Sequence, residues 1–151
     1  MIPHHRKELN RAISAIHAAE VGPTEIDLAD APLLAFWQVL LDSRGMSMLF
    51  GEVTDHPKLG KTTMTSSRLI AIDREAGWAR TISRWYRLGR PFNDLEAELI
   101  QACHKAGHDV VSALFDFSPH TPLDADHLDR LLADYVALVR KISLEYPEAK
   151  A

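Results

Sequence analysis

Between residues 46 and 88 the chain changes texture. The runs "MSMLFGEV", "TTMTSSRLIAID" and "WARTISRWYRL" are rich in β-branched and aromatic residues and carry no helical spacing, whereas both flanks repeat apolar residues three and four apart. Side chains that are stiff at the first torsion fit a pleated surface better than a helix. The connections within this segment are short. Residues 54–61 contain Asp55, Pro57 and Gly60, and "DREAG" ends on Gly77, a residue type that accepts positive φ. Strands joined so closely pair antiparallel. The expectation is an α+β fold: a three-stranded antiparallel meander over about 46–88, packed with N-terminal helices and two C-terminal helices.

The flanks supply those helices. Leu9, Ile13, Ile16 and Ala19 share one helical face within residues 4–20, and "VGP" at 21–23 stops the run. Asp30 can cap a second helix with Pro32 in its first turn and "LLAFWQVLL" filling it. That helix is apolar nearly all round and is expected to be deeply buried. Asn93 with Glu96 matches a capping box opening a helix that runs to about Phe117 through Leu95, Leu99, Cys103, Ala106, Val110 and Leu114. After "SPHTP", Asp124 can cap a last helix carrying Leu128, Leu131, Leu132, Tyr135, Leu138, Val139 and Ile142. Two such amphipathic helices can pair across a two-fold axis as a homodimer, or cover the sheet of their own chain.

A length of 151 residues suits one domain, residues 1–151, and 46% apolar with 25% charged residues is ordinary for a globular chain. The longest apolar stretch, "APLLAFWQVLLDS", is too short to cross a bilayer, so no membrane partner is expected. "MIPHHRKELNR" lacks the apolar run of a signal peptide, and the single Cys103 excludes an intramolecular disulfide. A cytoplasmic location is the expectation.

Charge is divided unevenly along the chain. Residues 56–90 hold Lys58, Lys61, Arg68, Arg74, Arg80, Arg84, Arg87 and Arg90 against Asp73 and Glu75, a net of +6. Residues 1–55 carry −4 and residues 93–151 carry −6, within a formal total of −4. A basic middle between acidic flanks suits an anionic partner, and equally suits internal pairing with the helices.

Gly60-Lys61-Thr62-Thr63 looks like the end of a phosphate-binding loop, with Asp73 placed like a metal-binding carboxylate after a strand. Such a loop needs a glycine five positions before Gly60 and a helix directly after. Asp55 stands there instead, Gly51 is the nearest earlier glycine, and "TTMTSSRLI" is strand-like. The motif fails. His104 and His108 are spaced to share a helical face, but zinc wants a third and usually a fourth ligand, and nothing brings His120 or His127 to them. Cys103 sits at an apolar helical position, and no serine has a glycine elbow or a histidine–carboxylate partner. Neither catalytic residues nor a metal or cofactor site is expected, although Asp55-His56 can serve either as a base or as a turn.

The richest segment is "WARTISRWYRLGR". Read as one strand, alternation places Trp78, Arg80, Ile82, Arg84, Tyr86 and Leu88 on one face and Ala79, Thr81, Ser83, Trp85 and Arg87 on the other. Arginines interleaved with aromatics can follow a phosphate backbone and stack bases. They can also lie across their own aromatic rings and pair with acidic helices. The candidate anion- or nucleic-acid-binding set is Lys58, Lys61, Arg68, Arg80, Arg84, Trp85 and Arg87.

The run Gly51-x-Val53-x-x-His56-Pro57, then Thr65-Ser66-x-x-Leu69-x-x-Ile72-Asp73, then Gly77-Trp78-Ala79-Arg80-Thr81-x-Ser83-Arg84-x-Tyr86-Arg87-Leu88-Gly89 resembles a family of short alphaproteobacterial proteins of unknown function, often carried on plasmids and other mobile elements. The likeness covers about residues 33–91 and leaves the helical arms outside. It implies that Thr65, Ser66, Thr81 and Ser83, with Arg80 and Arg84, form the family's polar signature. Such residues on adjacent strands can bond one another or bind an anion. The leading expectation is a non-enzymatic binding module of a mobile or accessory genetic element whose basic meander contacts an anionic partner such as nucleic acid. The alternative is a protein-interaction factor, for example an inhibitor of a host defence complex, acting through acidic helices on a protein partner.

Overall fold

The computed structural model describes residues 2–56, 58, 60–107 and 117–147, with only the backbone of Asp55. In chain order the elements are α1 (Pro3–Val21), α2 (Glu25–Asp30), β1 (Leu33–Leu41), β2 (Ser47–His56), β3 (Gly60–Asp73), β4 (Trp78–Thr81), β5 (Trp85–Leu88), α3 (Phe92–Lys105), β6 (Thr121–Pro122) and α4 (Ala125–Glu145).

The expected three-stranded meander is replaced by a larger, closed sheet. Strands β1 to β5 pair in succession, and β5 returns to run parallel with β1 through Leu33↔Arg87 and Leu34↔Leu88. The result is a closed five-stranded mixed barrel, with β6 extending the sheet along β1 at Leu40 and Leu41. Closure leaves the barrel strands few unpaired edges, which a free meander would expose.

Two sequence expectations fail together here. "LLAFWQVLL" is not a helix but β1. A short run that is apolar on all sides suits a buried helix or a strand covered on both faces, and periodicity cannot separate them. β1 is covered on both faces: Leu34 and Val39 enter the core cluster, and α3 packs against the strand. The second helix is instead the short α2, opened by a capping box in which the Thr24 side chain accepts from Asp27 N–H and the Asp27 carboxylate accepts from Thr24 N–H. A break in the register between Ala35 and Gln38, with Phe36 at φ 52°, bends β1 so that its two halves serve different neighbours.

The third expected strand is also divided. Thr81 N–H donates to the Arg84 carbonyl at 2.9 Å, turning the chain between β4 and β5. The two strands pair with each other through Trp78↔Arg87, Ala79↔Tyr86 and Arg80↔Trp85. Simple alternation across 78–88 is therefore broken. Ala79, Thr81 and Tyr86 are buried, and Trp78 and Arg80 share a face with Trp85 and Arg87 rather than with Tyr86.

Other local signals hold. Gly77 takes φ 82° in the turn between β3 and β4. Asp124 caps α4 by accepting from His127 N–H at 2.9 Å. The expected capping box of Asn93 and Glu96 does not open α3: the helix starts two residues earlier, at Phe92 after Pro91, with no side-chain cap bond, and its helical span ends at Lys105. Val110 and Leu114, expected to continue it, lie outside the described residues.

The core has two parts. Leu34, Val39, Leu49, Val53, Leu69, Ala79 and Tyr86 fill the barrel, joined by Leu128 and Leu132 of α4. On the outside of β3, Ile70 meets Leu9, Ala12, Ala15 and Ile16 of α1 and Val139 of α4. The buried face of α1 thus uses two alanines in place of the expected Ile13, which is exposed; small residues let the helix lie close to the sheet. No helix among the described residues is long and apolar enough to cross a membrane.

Candidate anion-binding surface

The surface is built around the β4–β5 turn, and a buried hydroxyl holds that turn. Thr81, with no solvent exposure, accepts from Ser83 N–H at 3.2 Å and Arg84 N–H at 3.1 Å through Oγ1, and that hydroxyl lies 3.2 Å from the Arg84 carbonyl. A methyl group in its place would leave buried backbone donors unpaired. The turn projects Ser83 outward, where its Oγ stands 3.0 Å from Ser67 Oγ and accepts from Arg11 of α1 at 3.3 Å.

Ser66 has a related duty one strand away. The pairing of β2 with β3 shifts between Met48 and Phe50, and the Leu49 N–H donates to Ser66 Oγ at 2.9 Å. Ser66 in turn donates to the Ser67 carbonyl at 2.7 Å. Of the four polar signature residues, Ser66 and Thr81 thus satisfy irregular backbone inside the fold, while Thr65 and Ser83 face solvent.

On the outer face of the β4–β5 pair, the Trp78 and Trp85 rings meet edge to face at 5.4 Å. The Arg80 guanidinium lies 5.2 Å from the Trp85 ring centre, while its Nε donates to the Thr81 carbonyl. Burial pulls the Arg80 pKa down and the nearby Asp27 carboxylate pushes it back up. Arg84 is half-buried. Arg87 is committed to the fold: its Nε donates to the Ala31 carbonyl at 3.0 Å, tying β5 to the end of α2. Arg68 is drawn away from this group, its guanidinium lying 4.5 Å from the Tyr135 ring centre of α4.

Lys58 and Lys61 are exposed at the β2–β3 hairpin. Lys58 N–H donates to Nδ1 of the buried His56, whose ring is tilted against Tyr86. Burial, then the positive charges of Arg84 and Lys58, lower the His56 pKa below 6.5. Both effects favour the neutral imidazole, whose Nδ1 is the acceptor for Lys58 N–H. Burial likewise raises the Tyr86 pKa above 10.0.

Asp27 acts on Arg80 through space, but no ion pair to the strand arginines forms among the described residues. Among the described residues the arginine ion pairs join Arg11 to Glu8, Arg74 to Asp129, Arg90 to Asp94 and Glu98, and Arg140 to Glu20. None involves Arg68, Arg80, Arg84 or Arg87. The last helix, α4, sets Asp126, Asp129, Asp134 and Glu145 against Arg130, Arg140 and Lys141, so its own charge is nearly balanced.

Two clefts meet at Arg80. One, of about 290 Å³, is walled by Asp27, Asp30, Ser83, Arg84 and Trp85. The other, of about 500 Å³, lies between β4 and α1. The sequence reading missed the second cleft because its α1 wall stands far from the basic segment in the chain. A signal was present nonetheless: Lys7 and Arg11 are four residues apart on one helical side.

The other candidate chemistry does not assemble. Lys61, Thr62 and Thr63 lie within β3 with no helix following, so no phosphate loop forms. His108 lies outside the described residues, and among the described ones no three His, Cys, Asp or Glu side chains gather to hold a metal. His127 is engaged with Asp124 at 2.6 Å, both at the start of α4.

A family of unknown function, DUF6634, matches residues 1–150. The chain belongs to that family. The match includes the helical arms, which the resemblance in the central motif left outside. Comparison with curated proteins and with solved structures finds no significant match.

Proposed function

We propose that this DUF6634 chain is a non-enzymatic binding module that takes a nucleic-acid strand on the outer face of its barrel. The observation that carries the reading is the combination at β4 and β5. Arg80 and Arg84 have no carboxylate within 4.0 Å among the described residues, and they flank Trp85, whose ring is reachable from the adjoining cleft. Guanidinium groups neutralise phosphates, and an indole face stacks any base, so the pair suits binding with little sequence preference. The likeness of the central motif to plasmid-borne proteins fits such a role in a mobile or accessory element. The near-balanced charge of α4 gives the alternative, an acidic docking helix, less support.

The test is fluorescence anisotropy of labelled single-stranded and duplex oligonucleotides across a salt series. Affinity should fall steeply as salt rises, and Arg80→Ala with Arg84→Ala should weaken it while the thermal midpoint stays near that of the parent. Absence of binding to either form at low salt would overturn the reading.

A further inference from the structure

The cleft between α1 and β4 carries charge of one sign only. Arg6, Lys7 and Arg11 line it from the helix and Arg80 from the strand, with Asn10 and Ser14 as neutral polar neighbours and no carboxylate in the wall. We propose that this cleft holds the phosphates of a bound single strand, with Lys7, Arg11 and Arg80 contacting the phosphodiester oxygens. The inference rests on the nucleic-acid reading and adds a path for the backbone.

Three observations direct the phosphates to this side. First, Arg80 stands between two clefts that differ in charge. The one towards α2 sets Asp27 and Asp30 against Arg84, so its charge is offset, and it carries Trp85, which offers a base a stacking face. The one towards α1 is cationic. A strand crossing Arg80 therefore lowers its energy with phosphates on the α1 side and bases towards Trp85.

Second, hydroxyl donors stand beside the guanidinium groups. Arg11 reaches Ser83 Oγ at 3.3 Å, and Ser83 is 3.0 Å from Ser67 Oγ. Rotatable hydroxyls next to a guanidinium can donate to the same phosphate. Third, the cations are not locked away. Arg11 meets Glu8 at 3.4 Å, with the two side chains 44% and 46% exposed, a water-screened contact that a phosphate can replace. No carboxylate lies within 4.0 Å of Lys7 among the described residues. Arg6 differs: its guanidinium donates to the Tyr146 and Pro147 carbonyls, which fixes the start of α1 against the end of α4 and fixes the wall of the cleft.

The experiment uses the full chain and a fluorescein-labelled dT12 strand, with a duplex of equal length for comparison. The variants are Lys7→Ala/Arg11→Ala, the single exposed Lys7→Glu in case the first unfolds, and Lys105→Ala/Lys141→Ala as a change of equal charge on α3 and α4. The double cleft variant should bind dT12 at least about tenfold more weakly, with a log–log salt slope shallower by about 1.4, or roughly 0.7 per lost phosphate contact on a single strand. Lys7→Glu should move in the same direction, and the α3/α4 variant should stay within about twofold of the parent. A parent that binds dT12 while both cleft variants keep its affinity and slope would overturn the cleft and spare the β4–β5 reading. A parent that prefers the duplex would overturn the single-strand path. A parent that binds neither would overturn the wider reading and this inference with it.

Discussion

The guanidinium of Arg80 sits 5.2 Å from the centre of the Trp85 ring, on neighbouring strands at paired positions. One side chain thus belongs at once to a stacking surface and to the boundary between a cleft of mixed charge and a cationic one. If the ring stacks a base, Trp85→Ala should cost about 1–3 kcal/mol of single-strand affinity. Arg80→Lys should keep part of the salt dependence while losing the planar contact. Anisotropy titrations of the two variants at fixed salt separate the effects. Unchanged affinity in Trp85→Ala would remove stacking from the account.

Thr81 is expected to matter for stability rather than for binding alone. It is fully buried, and its hydroxyl engages the Ser83 and Arg84 N–H groups. Thr81→Val keeps the shape and removes the acceptor, so urea unfolding should show a loss of about 1–3 kcal/mol. Thr81→Ser, which keeps the hydroxyl, should recover most of it. A loss in Thr81→Ser with none in Thr81→Val would show that the methyl group, not the hydrogen bonds, holds the turn.

Gly51 of β2 lies tight against β1. A Cβ there would stand 2.8 Å from the Ala35 carbonyl oxygen and 2.9 Å from Leu34 Cγ, so backbone must move to admit it. Gly51→Ala should destabilise by about 1–3 kcal/mol. Gly45→Ala has open space around its Cβ but a φ of +84°, so its cost is local strain alone. Thermal midpoints of the two variants, read with circular dichroism, test whether barrel closure depends on that contact.

The neutral, buried His56 makes stability depend on pH. Its folded pKa lies below the ordinary 6.5, chiefly because burial disfavours the charged ring. The unfolded chain therefore takes up the proton first as pH falls, and the stabilisation present above 6.5 is lost on descending through the folded pKa. Protonation also removes the Nδ1 acceptor used by Lys58 N–H. Urea midpoints of the parent and His56→Gln should converge between pH 7.5 and pH 5, and a constant gap would contradict the assignment.

Much of the local structure was legible. Gly77 at the β3–β4 turn, Gly22 ending α1 and Asp124 opening α4 each act through their own backbone or a neighbour three residues on, so spacing alone reveals them. The capping box of α2 was equally local, in Thr24 and Asp27, but attention to the apolar run after Asp30 hid it. Arg80, Arg84 and Trp85 were legible as a cationic–aromatic group. Their common face was not, because it depends on the turn at Thr81 that reverses the chain between them.

Residue types and spacing by themselves settled the strand character of the middle of the chain, the cap of α4 at Asp124, and how the positive charge is concentrated along the chain. Tertiary structure decided the rest. "LLAFWQVLL" becomes β1 because strands on both of its edges satisfy its peptide groups while the barrel interior and α3 cover its faces; of those partners, β5, β6 and α3 are distant in the chain. The same holds for the cleft, where Arg11 and Ser83 meet across 72 positions. Local propensity is an energy of neighbours, and it carries no information about which distant surface will exclude water from a given face.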